Sequence, residues 1–159
     1  MENDDVQLGP NVGGARKLAR KLFKDSGVNE IPVSLWKVIN HLKAQRGLDI
    51  MRVEFETVDG ALLMIDGQPT IGFNPTPAWV RRRLTIAHEI GHFLMGHVCG
   101  QNPDSNAERE AYQFGAELLI PLAFIRGDFS RNPDLEFLAK KYLVSKEALC
   151  RHLMECRVI

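Results

Sequence analysis

His88-Glu89-Ile90-Gly91-His92 sets two histidines four residues apart. On a helix that is about one turn, so both imidazoles leave the same face and can bind one metal ion. The pattern is His-Glu-x-x-His, a helical zinc signature. Glu89 lies one step round the helix, where its carboxylate reaches a metal-bound water without being a ligand. Zinc lowers the pKa of such a water toward about 7, and a nearby carboxylate completes its deprotonation. His88 and His92 are therefore candidate metal ligands and Glu89 the candidate catalytic base. Around them, Leu84, Ile86, Ala87, Ile90, Phe93, Leu94 and Met95 leave almost no polar face over residues 78–98, which predicts a buried helix. Buried histidines need partners, and one zinc ion satisfies both. Gly91 costs about 1 kcal/mol of helix propensity relative to alanine, a cost tolerated where another element packs close.

A catalytic zinc takes three protein ligands. His97 is nearest, but on a continuous helix it lies about 140 degrees round from His92, facing away. It reads as a helix-end residue favoured by the dipole. The metzincin pattern needs a glycine three residues and a histidine six residues past the second histidine, and Met95 and Val98 stand there. The next helix, over residues 105–120, offers a better candidate. Glu110, Gln113 and Glu117 cluster on one face, which reads as a solvent stripe, and Glu108 falls opposite amid Ala111, Tyr112, Gly115 and Leu119. A carboxylate on an apolar arc needs a strong partner, and Ala111, Gly115 and Ala116 are small enough to let the two helices approach closely. Ser105-x-x-Glu108 is also a capping box, in which Glu108 reaches back to the backbone. The residues leave ligand and cap both open.

The 159 residues suggest one domain with a sizeable core. Residues 1–12 read as a flexible N-terminal arm, 13–159 as a single domain, and 131–159 as its C-terminal helical subregion. A net charge of +0 argues against a bulk electrostatic footprint for nucleic acid. No apolar run is long enough to span a membrane, and the acidic start Met1-Glu2-Asn3-Asp4-Asp5 is not a secretory signal. Three cysteines without a Cys-x-x-Cys pair predict free thiols and a cytoplasmic setting. Residues 13–24 carry a helical apolar stripe with Arg and Lys as its solvated face. Ser34 can cap a second helix that Gly47 ends. Residues 48–55, 61–65 and 70–73 alternate as strands, and the Asp59-Gly60 and Asp66-Gly67 turns favour antiparallel hairpins. The expected fold class is α+β: a mainly helical zinc-metallopeptidase domain with a small three-stranded, mostly antiparallel sheet.

Taken with Glu108-Arg109-Glu110-Ala111-Tyr112-Gln113-Phe114-Gly115-Ala116-Glu117-Leu118-Leu119-Ile120-Pro121 and the upstream Arg82-Arg83-Leu84-Thr85-Ile86-Ala87, the first motif resembles the ImmA/IrrE metallopeptidases. The resemblance extends through the hairpins and the Leu138–Ser145 stretch, so most of the domain is covered. It implies that His88 and His92 hold zinc, that Glu89 is catalytic and that Glu108 is the third ligand. It also implies a protein substrate, often a helix-turn-helix repressor. This chain departs from the family at Tyr112, where Asn or Asp is usual. One turn beyond Glu108, its phenol can orient a ligand, steady the transition state or simply pack.

Residues 131–159 suggest two short amphipathic helices joined at Val144-Ser145, like a helix-turn-helix, with a small basic excess. Packing against the core is the expected use, and direct nucleic-acid binding is not expected. Thr70, Ile71, Gly72 and Phe73 are the candidate substrate-binding residues, as an exposed edge strand able to pair with an extended peptide. The expected function is zinc-dependent hydrolysis of a peptide bond. The alternative is a regulator that keeps the fold but acts by binding protein or DNA.

Overall fold

The computed structural model describes residues 9–97 and 104–159. Its elements run α1 (Val12–Asp25), α2 (Leu35–Arg46), β1 (Asp49–Arg52), β2 (Gly60–Ile65), β3 (Gln68–Phe73), α3 (Trp79–Leu94), α4 (Ser105–Leu119), α5 (Leu122–Arg131), α6 (Leu135–Tyr142) and α7 (Lys146–Glu155). The fold is α+β and mainly helical, with one small sheet. The first eight residues of the expected arm, the expected helix end at Val98 and Cys99 lie outside the described residues.

The local signals at α2 act as read. Ser34 Oγ accepts the Lys37 N–H, and Gly47 closes the helix at φ +67, the left-handed conformation that only glycine adopts without steric cost. The sheet departs from expectation. Its order is β1-β3-β2, with β1 and β3 parallel and β2 and β3 antiparallel. Thr70, Ile71, Gly72 and Phe73 therefore belong to the central strand, with neighbours on both sides, and the expectation of a free substrate-binding edge there is overturned. The reason lies in the connections. Asp66-Gly67, at φ +50 and +78, makes the two-residue turn of the β2–β3 hairpin. Residues 53–59 instead carry the chain from β1 to the far side of β3, so Asp59-Gly60 is not a hairpin turn. Gly72 is packed by this chain's own side chains: a Cβ there would lie 3.0 Å from Phe55 and 3.1 Å from Val53. Among the described residues the sheet edges are β1 and β2.

Helix α4 sits at the centre, against α3 on one side and α1 on the other. Phe114, Leu118 and Leu119 are wholly buried, within an apolar cluster that also draws on α1, α2, α5, α6 and α7. The face with Gln113 and Glu117, expected in solvent, is buried at 0% and 2% exposure. The basic face of α1 covers it: Arg16 donates to Gln113 Oε1 at 2.8 Å, and Arg20 to Glu117 Oε1 at 2.9 Å. Helical periodicity shows a polar stripe but cannot tell water from a complementary helix. Arg83 is similarly used inside. It is buried, and its guanidinium donates to the carbonyls of Leu143 and Val33 at 3.1 and 3.0 Å, tying α3 to the segments just before α2 and just after α6.

The C-terminal helices pack Leu138, Tyr142, Leu149 and Leu153 against the core at 1% exposure or less, as expected, while Phe137 and Met154 stay exposed at 52% and 64%. Trp36 and Trp79 stand 70% and 49% exposed. Asp128 locks α5 to α6. It accepts from the Tyr142 hydroxyl at 2.7 Å, Lys141 at 2.8 Å and Arg131 at 2.6 Å. Burial pushes this carboxyl up, but Lys141, Tyr142 and Arg131 outweigh it and hold the pKa at about 2. A folded-state pKa below the ordinary 3.8 means stability that is present above pH 3.8 and lost as pH falls toward 2. In acid titrations followed by circular dichroism, Asp128→Asn should flatten that loss. Tyr142→Phe removes a hydrogen bond to a charged group and should cost about 1.5–3 kcal/mol at neutral pH by urea unfolding.

Candidate metal centre

The structure brings His88, His92 and Glu108 to one point. The two Nε2 atoms are 3.0 Å apart. Glu108 reaches in from the first turn of α4, with Oε2 at 3.1 Å from His88 Nε2 and Oε1 at 2.8 Å from His92 Nε2. These separations approach the about 3.4 Å edge of a tetrahedron built from zinc bonds of about 2.1 Å. Ligating histidines must be neutral. Burial and the neighbouring His92 push His88 down to about 4, and burial lowers His92 also. Two lone-pair nitrogens and a carboxylate facing one another are a donor set that fits zinc.

Glu108 occupies its expected place for a different reason. Its side chain is 45% exposed, on the rim of the cleft and not within an apolar arc. The capping-box alternative is overturned: Asp104 is the N-cap and accepts the Ala107 N–H at 2.7 Å. What aims Glu108 is the close approach of the two helices. A Cβ on Gly115, two turns along from Glu108, would lie 3.0 Å from the His88 backbone nitrogen, and one on Gly91 would lie 3.0 Å from Phe114.

Glu89 is 8% exposed and accepts the Leu62 N–H from strand β2. Burial, then the Glu108 charge, push it up to about 7, where a carboxyl can both take and return a proton at neutral pH. Tyr112 lines a cleft of about 860 Å³ beside His88 and Glu108. The Arg151 guanidinium stacks on its ring at 3.8 Å, and burial raises the phenol's pKa, so it remains a proton donor.

His97 is the residue that helical extrapolation misplaced. Helix α3 stops at Leu94, and Gly96 takes φ +68. Gly96 N–H then bonds to Phe93 O and His97 N–H to His92 O, a Schellman ending that folds the chain back. It returns His97 to the far side of His92, with the two Nδ1 atoms 2.8 Å apart. Beyond it, His97 Nε2 meets Glu110 Oε2 at 3.0 Å, and Glu110 Oε1 accepts the Asn11 N–H at 2.9 Å. The protons have one consistent placement. With a lone pair on His92 Nε2, His92 Nδ1–H donates to His97 Nδ1, and His97 Nε2–H donates to Glu110. Groups that hold the second nitrogen of a ligating histidine typically contribute 10- to 100-fold, roughly, to metal affinity. His97→Ala should weaken zinc binding by about that factor in chelator competition, and Glu110→Gln should shift it in the same direction. Unchanged affinity in both would show that the contact does not orient His92. The available signal in the sequence was Gly96, a C-terminal stop.

A family model described as the IrrE N-terminal-like domain of M78 peptidases matches residues 44–154. No curated protein matches the chain. Among solved structures, a Mycobacterium tuberculosis transcriptional regulator has a similar fold, with a TM-score of 0.67 at 15% identity, over 89% of this chain and 46% of that one. The present chain thus spans about half the regulator's length, and the likeness is one of fold. The family match covers well over half of the chain and takes in His88, Glu89, His92 and Glu108 with both helices that carry them: the chain belongs to the M78, or ImmA/IrrE, peptidase family.

Proposed function

We propose that this protein is a zinc-dependent endopeptidase that hydrolyses a peptide bond in a protein substrate. The observation that supports this best is the convergence of His88 Nε2, His92 Nε2 and the Glu108 carboxylate beside the buried Glu89. Zinc held by these three residues would polarise the scissile carbonyl and acidify the attacking water. Glu89 takes the proton of that water and returns it to the leaving nitrogen. Tyr112, which lines the cleft beside His88 and Glu108, would donate to the developing oxyanion.

Strand β2 replaces Thr70–Phe73 as the substrate platform in this reading. It is an edge strand, and Leu62 already touches Glu89 through its N–H, so a peptide paired along it passes the base. The substrate class to test first is a helix-turn-helix repressor, on family resemblance. A cytoplasmic setting suits the free thiols Cys150 and Cys156, and no described helix is long and apolar enough to cross a membrane. A second reading, a regulator that binds without cleaving, draws on the fold shared with a protein named as a transcriptional regulator.

His92→Ala and Glu108→Ala should each lose most bound zinc from the His88–His92–Glu108 site by metal analysis. Glu89→Gln keeps the size of the side chain but cannot accept the proton. It should stay folded and zinc-loaded while cleavage falls by about 100- to 10,000-fold. Cleavage at the parental rate would overturn the mechanism, and equal rescue of deficient cells by both forms would favour the binding regulator.

A further inference from the structure

Glu117, His152 and Cys156 form a second cluster, apart from the first. His152 and Cys156 are four residues apart on α7 and its C-cap, the helical spacing that turns two donors to one side. Glu117 faces them from α4. His152 is wholly buried, Glu117 is 2% exposed and Cys156 is 8% exposed. Their ligand atoms all lie within 4.8 Å of one another, with Cys156 Sγ 3.8 Å from His152 Nδ1 and 3.9 Å from Nε2. Glu117 Oε1 is satisfied by Arg20 and the Leu122 N–H. Its Oε2 is buried with no hydrogen-bond partner, although His152 Nε2 lies 3.2 Å away, because that nitrogen is aligned on the Ile120 carbonyl at 3.0 Å. A buried carboxylate oxygen whose neighbour, His152 Nε2, is not aligned as a donor to it is a position that a cation can satisfy.

We propose that Glu117, His152 and Cys156 are a second metal site, structural in role and suited to zinc. Thiolate and imidazole donors select zinc among the common divalent ions, and the burial of all three donors leaves no room for a substrate, so the role is to hold α7 against α4 even though three protein donors leave a fourth coordination position to be filled. On binding, the Cys156 thiol releases its proton and His152 presents a lone pair, so carboxylate and thiolate balance the two positive charges. The metal then joins α7 to α4, the helix that carries Glu108. The competing occupant is a proton: an imidazolium between Glu117 and Cys156 fills the same space.

Cobalt(II) distinguishes the two. The His88–His92–Glu108 set has no sulfur, so a thiolate-to-cobalt charge-transfer band in the near ultraviolet reports only the second cluster. The unaltered protein should take up two metal equivalents per chain and show the band. Cys156→Ser should lose one equivalent together with the band. Glu108→Ala should lose the other equivalent and keep the band, whether or not the protein cleaves anything. The absence of a band from cobalt-loaded unaltered protein overturns the proposal without recourse to a variant. So does a band that survives in Cys156→Ser, which would assign it to another thiol.

Discussion

The backbone contact between α3 and α4 is the constraint on which the rest depends. At Gly115 the two helices come so close that a single methyl group would meet the His88 backbone at 3.0 Å. Close-packed interiors absorb such an insertion only by moving backbones or forcing side chains off their rotamers, typically at about 1–3 kcal/mol. Here the displacement would also carry Glu108 away from the two imidazoles. Packing and chemistry are thus fixed by one contact, and Phe114 seated over Gly91 sets the same spacing from the other helix.

Helix α4 carries polar groups on more than one side, and each is met by a neighbouring element. Glu108 faces α3, Glu110 meets His97 and Asn11, Gln113 meets Arg16, and Glu117 meets Arg20 and His152. An unpaired buried polar group costs roughly 1–3 kcal/mol, so these partners determine where α1 and α7 can dock. The N-terminus of α1 is tied through Glu110 and His97 to the back of His92. The first helix of the chain is therefore linked to the candidate metal centre with no ligand of its own in it.

Much of this was legible in the residues. Helical spacing placed His88 and His92 on one face, because four residues is a property of the helix and not of its surroundings. Ser34 and Gly47 marked α2 because capping is settled within one turn. Glu108 was a candidate ligand and does lie beside both imidazoles, yet the apolar arc invoked for it does not exist. Small residues that permit helix contact were the sounder clue.

What the sequence determined by itself was whatever depends on a few consecutive residues: the helix that sets His88 and His92 on one face with Glu89 beside them, the caps and the β2–β3 turn. Only the tertiary structure decided which strands are neighbours, since alternation gives a strand its faces but not its partners, and so β3 became central and β2 the edge. Tertiary structure also decided that the polar stripe of α4 meets α1 and α7 and not water, and that a helix ended early by Gly96 returns His97 to His92. Each of these rests on contacts between residues distant in the chain or on a change of chain direction, and local periodicity carries neither.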